Sequence, residues 1–66
     1  MSKLLSSKQI IKTLTDNGFI FVSQRGSHAK FKRGNRIVIV PSPKKEIPMG
    51  TFRSIIRQSG LNREDF

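Results

Sequence analysis

The sequence predicts an α+β fold in which two helices pack on one face of a three-stranded antiparallel sheet, in the order α-β-β-β-α. Segments with apolar residues at helical spacing stand near both ends of the chain, and three short segments rich in β-branched and aromatic residues lie between them. The pairs Gly26-Ser27 and Gly34-Asn35 separate these three segments and are typical of hairpin turns. We expect the second face of the sheet to stay open.

The first helix is predicted over residues 7–17. Ser6-Ser7-Lys8-Gln9 fits a capping box, in which the two outer residues bond reciprocally to each other's backbone N–H groups. Asn17-Gly18 tolerates the left-handed conformation that ends many helices. The apolar residues at helical spacing are Ile10, Ile11 and Leu14.

Strands one and two are predicted at residues 19–24 and 28–33. A period of two divides the side chains of strand two between two faces. The face toward the core carries Ala29, Phe31 and Arg33, and the open face carries His28, Lys30 and Lys32. Strand one is apolar from Phe19 to Val22, so its pattern leaves the face of Phe21 undecided.

Strand three is predicted over residues 36–40, ending before Pro41, and is apolar on both faces. If Val38 and Val40 face inward, Ile37 and Ile39 lie on the open face near His28. An exposed apolar pair beside a basic site indicates a covering protein partner.

A loop with two adjacent lysines, Lys44 and Lys45, precedes the second helix, which should end at Gly60. One more short turn is expected at residues 62–65. The stripe of the second helix is Met49, Phe52, Ile55 and Ile56. We interpret Phe19, Phe31 and Phe52 as core residues.

The composition favours one domain over residues 1–66 with a polyanionic partner. Thirteen Lys and Arg against four Asp and Glu give a formal net charge of +9, which favours nucleic acid. An anionic membrane surface is the less favoured alternative, since the basic residues do not line one amphipathic helix. Without cysteine and with a single histidine, we expect no metal and no cofactor.

The sequence holds no apolar run of the length that crosses a membrane. The segment Met1-Ser2-Lys3-Leu4-Leu5 is too short for the apolar region of a signal peptide. We therefore expect a cytoplasmic protein without membrane contact.

His28 is the candidate catalytic residue, because an imidazole can accept or donate a proton near neutral pH. It follows Gly26-Ser27 and shares a face with Lys30 and Lys32, which can bind a phosphodiester. Ser27 is a candidate phosphate ligand, although Gly-Ser pairs are usually plain turn residues. The competing interpretation of His28 is a solvated histidine after a hairpin turn.

Several motifs together resemble the HicA toxins over nearly the whole chain, from Ser6 to Phe66. The resemblance implies a ribosome-independent mRNA endoribonuclease with a fold like the double-stranded-RNA-binding domain, neutralised by a HicB antitoxin. It also implies that His28 is catalytic. The matching motifs are Gly26-Ser27-His28, Phe31, Val40-Pro41, Gly50-Thr51-Phe52-Arg53-Ser54-Ile55, Ser6 and Asn17-Gly18-Phe19.

Two positions depart from many HicA relatives, which have further histidines where this chain has Ala29 and Pro43. A paired-histidine mechanism within one chain is therefore excluded, although a symmetric homodimer could supply a second His28.

These features favour an mRNA-cleaving toxin with RNA contacts at Ser27, Lys30, Lys32, Lys44 and Lys45 and an antitoxin interface at Ile37 and Ile39. The alternative is a non-catalytic RNA-binding module of the same fold. A DNA-binding domain is less favoured, because no helix has a recognition-helix pattern.

Overall fold

The helices form where caps and apolar stripes predict them. A computed structural model describes residues 4–66, with α1 at Ser7–Asp16, α2 at Met49–Ser59 and a 3-10 helix at Arg63–Asp65. The capping box is present, because Ser6 Oγ accepts from Gln9 N at 3.1 Å and Gln9 Oε1 accepts from Ser6 N at 2.9 Å. Gly60 ends α2 in the left-handed conformation, at φ 71°.

Three antiparallel strands form one sheet in the order β1-β2-β3, which confirms the predicted fold class. β1 begins and ends one residue later than predicted, because Phe19 N donates to Leu14 O of α1 at 3.0 Å and the pairing with β2 starts at Ile20. β3 extends one residue further, to Pro41, where a missing N–H donor costs no ladder bond. The strands are β1 (Ile20–Arg25), β2 (His28–Arg33) and β3 (Arg36–Pro41).

A bulge interrupts β1 at Val22 and changes which side chains share a face. Phe21 pairs with Phe31, but the next pair is Ser23 with Lys30, so Val22 has no partner in β2. Residues directly opposite each other share a face. The bulge therefore places Ser23 on the open face with Lys30, and leaves the side chain of Phe21 on the core face.

The core lies between the helices and the inner face of the sheet, and both helices make their main sheet contacts with β3. Val38 and Val40 face inward, which is the arrangement that leaves Ile37 and Ile39 on the open face. The buried apolar residues are Ile10, Leu14, Phe19, Ala29, Phe31, Val38, Val40, Ile47, Phe52 and Ile55. Because the helices lie toward β3, the core face of β1 is left partly uncovered.

No helix within residues 4–66 is long and apolar enough to cross a membrane. Residues 1–3, which belong to the segment considered above as a signal sequence, lie outside the described residues.

Candidate nucleic-acid interface

The open face of the sheet consists of three cross-strand rows centred on β2. Successive rows are two residues apart, or about 7 Å along the strands. The rows, read from β1 to β3, are Arg25–His28–Pro41, Ser23–Lys30–Ile39 and Ile20–Lys32–Ile37. The structure thus brings together His28, Lys30 and Lys32, as the alternation of strand two predicts, and sets them in a line of about 14 Å.

This face is basic and its charges are uncompensated by carboxylates on the sheet. His28, Lys30, Lys32 and Arg25 are all exposed. None of the residues from Ile20 to Pro41 is acidic, and the ion pair found within residues 4–66 joins Lys12 and Asp16 of α1 at 2.9 Å. A polyanionic chain lying along β2 would meet basic side chains in each of the three rows.

The turn before His28 is tied to both neighbouring strands. Gln24 Nε2 donates to the carbonyl oxygens of Gly26 at 2.9 Å and of Ser42 at 2.8 Å. Ser42 N donates to Ser27 O at 2.8 Å. These bonds fix the backbone that leads into His28, and Gly26 adopts φ 54°, which favours glycine.

Lys44 and Lys45 lie in a separate region, at the N-terminus of α1. Ser7 N donates to Lys44 O at 2.9 Å, and Lys44 N donates to Ser7 Oγ at 3.0 Å, so the loop backbone is anchored to the helix. Both lysine side chains are exposed. The loop starts beside the Ser27 turn through Ser42, but within residues 4–66 no hydrogen bond joins either lysine to His28.

The two isoleucines predicted on the open face differ in exposure. Ile37 is 41% exposed beside Lys32, whereas Ile39 is only partly accessible. Ile20, which the sequence did not single out, lies on the other side of Lys32 and is 65% exposed. Lys32 is therefore flanked by apolar side chains in both neighbouring strands.

Two further arginines that contribute to the net charge have structural roles. Arg33 Nη1 donates to Asn17 O at 2.7 Å, just after α1, and its guanidinium lies 4.9 Å from the centre of the Phe19 ring. Arg36 Nη1 donates to Gln58 O at 3.3 Å, near the end of α2. Cations at helix C-termini are favourable, because the free carbonyls there carry partial negative charge.

Arg25 and Gln24 are two site residues that the sequence pattern did not place. Arg25 faces His28 across the β1–β2 pair, and Gln24 clamps the turn. A regular strand would exchange the faces of these two residues relative to Phe21. Only the bulge at Val22, which an unbroken apolar run does not reveal, gives them these positions.

The α-β-β-β-α fold thus presents an open, basic sheet face with one imidazole, and these groups have the chemistry to bind a polyanion and to transfer one proton. A family model described as the HicA toxin of bacterial toxin–antitoxin systems matches residues 7–61. The chain belongs to the HicA toxin family, and this membership implies an antitoxin partner. No match to the chain was found among curated proteins.

Proposed function

We propose that this HicA-family toxin is an endoribonuclease that cleaves mRNA without a metal ion and uses His28 as its catalytic acid or base. The observation that carries the proposal is the place of His28, the one imidazole of the sequence, exposed on a cationic sheet face. The family match supports the ribonuclease activity, because HicA toxins are known as mRNA interferases.

The proposed reaction uses the ribose 2′-OH as an internal nucleophile. The 2′-oxygen bonds to phosphorus as the bond to the 5′-oxygen breaks, one proton leaves the 2′-OH and another joins the departing oxygen. His28 carries out one of these transfers, which contributes about 10²–10⁴-fold. Lys30, one row from His28, stabilises the charge on the phosphorane, and this lysine or a water molecule carries out the second transfer. Lys32, about 14 Å along the strand from His28, binds a neighbouring phosphate of the RNA.

The remaining contacts extend along the RNA. Arg25, opposite His28, is placed to bind the same phosphate or its neighbour, and Ser27 offers a hydroxyl in the turn beside it. Lys44 and Lys45 form a second contact with the RNA backbone, at the start of α1. Phosphate contacts of this kind bind RNA without reading its sequence.

The decisive experiment compares the wild-type protein with His28→Ala in an RNA cleavage assay containing EDTA. We expect the variant to lose cleavage and toxicity but to keep its fold, since exposed substitutions usually change stability by less than about 0.5 kcal/mol. RNA affinity should be retained. The wild-type products should carry 2′,3′-cyclic phosphate ends, which the internal route requires.

Asn35→Ala, at the exposed turn on the opposite end of β2, is the matched control and should cleave normally. Full cleavage by His28→Ala, or loss of wild-type activity in EDTA, would contradict the mechanism. Equal RNA binding by both proteins with no cleavage by either would favour the non-catalytic RNA-binding module.

We further propose that a HicB-like antitoxin covers the open face and contacts Ile37 and Ile39. Ile37→Lys should weaken the complex while the protein stays folded, because the side chain is 41% exposed. The control Thr15→Lys adds the same charge on the exposed side of α1. Binding titrations with the purified antitoxin measure both, and equal affinities would exclude Ile37 from the interface.

A further inference from the structure

The two outer edges of the sheet differ in whether another part of the protein bonds to them. On β3, the Gln58 side chain of α2 occupies the edge, where its Oε1 accepts from Ile39 N at 3.0 Å. On β1, the edge away from β2 pairs with no element of residues 4–66. An open strand edge presents unpaired N–H and C=O groups, and proteins usually cover or charge such edges.

β1 also exposes apolar side chains on both faces of the sheet. Ile20 lies on the open face and is 65% exposed, and Phe21 lies on the core face and is 57% exposed. Val22, at the bulge between them, is 47% exposed. A protein docked flat on one face would cover only part of this set. A strand added beside β1 places side chains on both faces and so covers all three residues.

Charge complementarity indicates which kind of molecule supplies the added strand. A second copy of this chain would bring another +9 next to the first, and the repulsion opposes self-pairing. RNA offers neither a peptide ladder nor aliphatic side chains. An acidic peptide segment with alternating apolar residues complements both the exposed apolar side chains of β1 and the cations Arg25 and Lys32 on its open-face side.

We propose that an extended acidic segment of the antitoxin adds to the free edge of β1 as a fourth strand. This inference rests on the proposed antitoxin complex and names the edge through which it forms. A fourth strand at this edge also brings the rest of the antitoxin over Ile20 and Ile37 toward His28. Edge pairing and covering of the open face then occur in one complex.

The test is a binding titration with the purified HicB-like antitoxin encoded beside the toxin gene. The double variant Ile20→Lys, Val22→Lys is compared with Thr15→Lys, Asn35→Lys, which carries the same added charge at exposed positions away from β1. Edge lysines disfavour strand pairing. We expect the edge variant to lose about 10-fold or more in affinity, whereas attraction to an acidic partner alone would strengthen both variants.

Amide hydrogen exchange on the wild-type complex supplies a second measurement that needs no substitution. The β1 amides that point away from β2 should exchange slowly only in the complex. Antitoxin binding with unprotected β1 amides overturns the edge proposal and leaves the antitoxin complex intact, because Ile20 also lies on the open face and its substitution can weaken binding without edge pairing. Failure of the wild-type protein to bind the antitoxin overturns both.

Two other outcomes would also overturn the proposal by naming a different occupant. A wild-type dimer that forms without antitoxin and is lost in Ile20→Lys, Val22→Lys would assign the edge to a second copy. Protection of the β1 amides by RNA alone would assign it to the substrate.

Discussion

Gln24 is the residue whose side chain most directly holds the backbone that leads into His28. Its amide group donates to two carbonyl oxygens, one in the turn before His28 and one at Ser42 after β3. Reacting groups must be held close to the productive geometry, and small displacements lower the rate more than the affinity. Gln24 is therefore a positioning residue in the proposed reaction.

We predict that Gln24→Ala lowers the cleavage rate constant by about 10-fold while RNA affinity changes little. Single-turnover cleavage and binding titrations measure the two quantities separately. Gln24→Glu has nearly the same shape but cannot donate to either carbonyl, so it should behave like the alanine variant. Wild-type rates in both variants would show that the clamp has no part in positioning His28.

The β2–β3 hairpin joins the helices through a pair of arginines at its closed end. Arg33 and Arg36 are opposite each other in the hairpin, and they reach the backbone at the ends of α1 and α2 respectively. The hairpin thus holds both helix ends against the sheet. Arg36 also lies so close to Gly60 that a Cβ there would displace its guanidinium.

Arg33→Ala should lower the free energy of unfolding by about 1–2 kcal/mol, because it removes a hydrogen bond at a helix end and a cation–π contact. Lys30→Ala removes the same charge from the same strand, but its side chain is exposed on the open face. It should cost less than about 0.5 kcal/mol. Urea unfolding of the two variants gives the comparison, and equal losses would contradict this division of roles.

The elements of the fold follow from local sequence patterns, whereas part of the site does not. Capping residues, helical spacing and glycine turns predict the positions of α1, β2 and α2 in the sequence, because each of these signals acts between neighbouring residues. The bulge at Val22 depends on how β1 pairs with β2, and the run from Phe19 to Val22 has no alternation that would reveal it. Arg25 and Gln24 consequently reach the site without a sequence signal.

The sequence also does not show which basic residues face solvent and which have structural roles. A count of basic residues does not separate Arg33, which caps a helix, from Lys30, which faces solvent, since the difference arises from tertiary contacts. The alternation in strand two did predict the open-face positions of His28, Lys30 and Lys32. It succeeded because the buried residues Ala29 and Phe31 fix the register of that strand.

At the scale of the whole molecule, the helices and the positive sheet face lie on opposite sides. The core and both helices occupy one side of the sheet, and the rows around β2 occupy the other. A small protein of high net charge self-repels, and a polyanion or an acidic protein bound to the open face relieves that repulsion. RNA and antitoxin therefore compete for the same charges in the proposed function.

This arrangement predicts which cations set the salt dependence of RNA binding. Each phosphate neutralised on a single strand contributes about −0.7 to the slope of log K against log salt. Lys30→Ala, Lys32→Ala should make the slope less steep by about 1.4. Arg53→Ala, Arg57→Ala removes the same charge from the exposed side of α2, across the molecule from the open face, and should leave the slope unchanged.

Fluorescence anisotropy with a labelled single-stranded RNA at four or more salt concentrations would measure both slopes, with His28→Ala as the background so that the RNA stays intact. If the two double variants change the slope equally, RNA responds to the net charge and not to the rows around β2. The rows around β2 would then not be the RNA-binding surface. The proposal that they bring the phosphodiester to His28 would be contradicted as well.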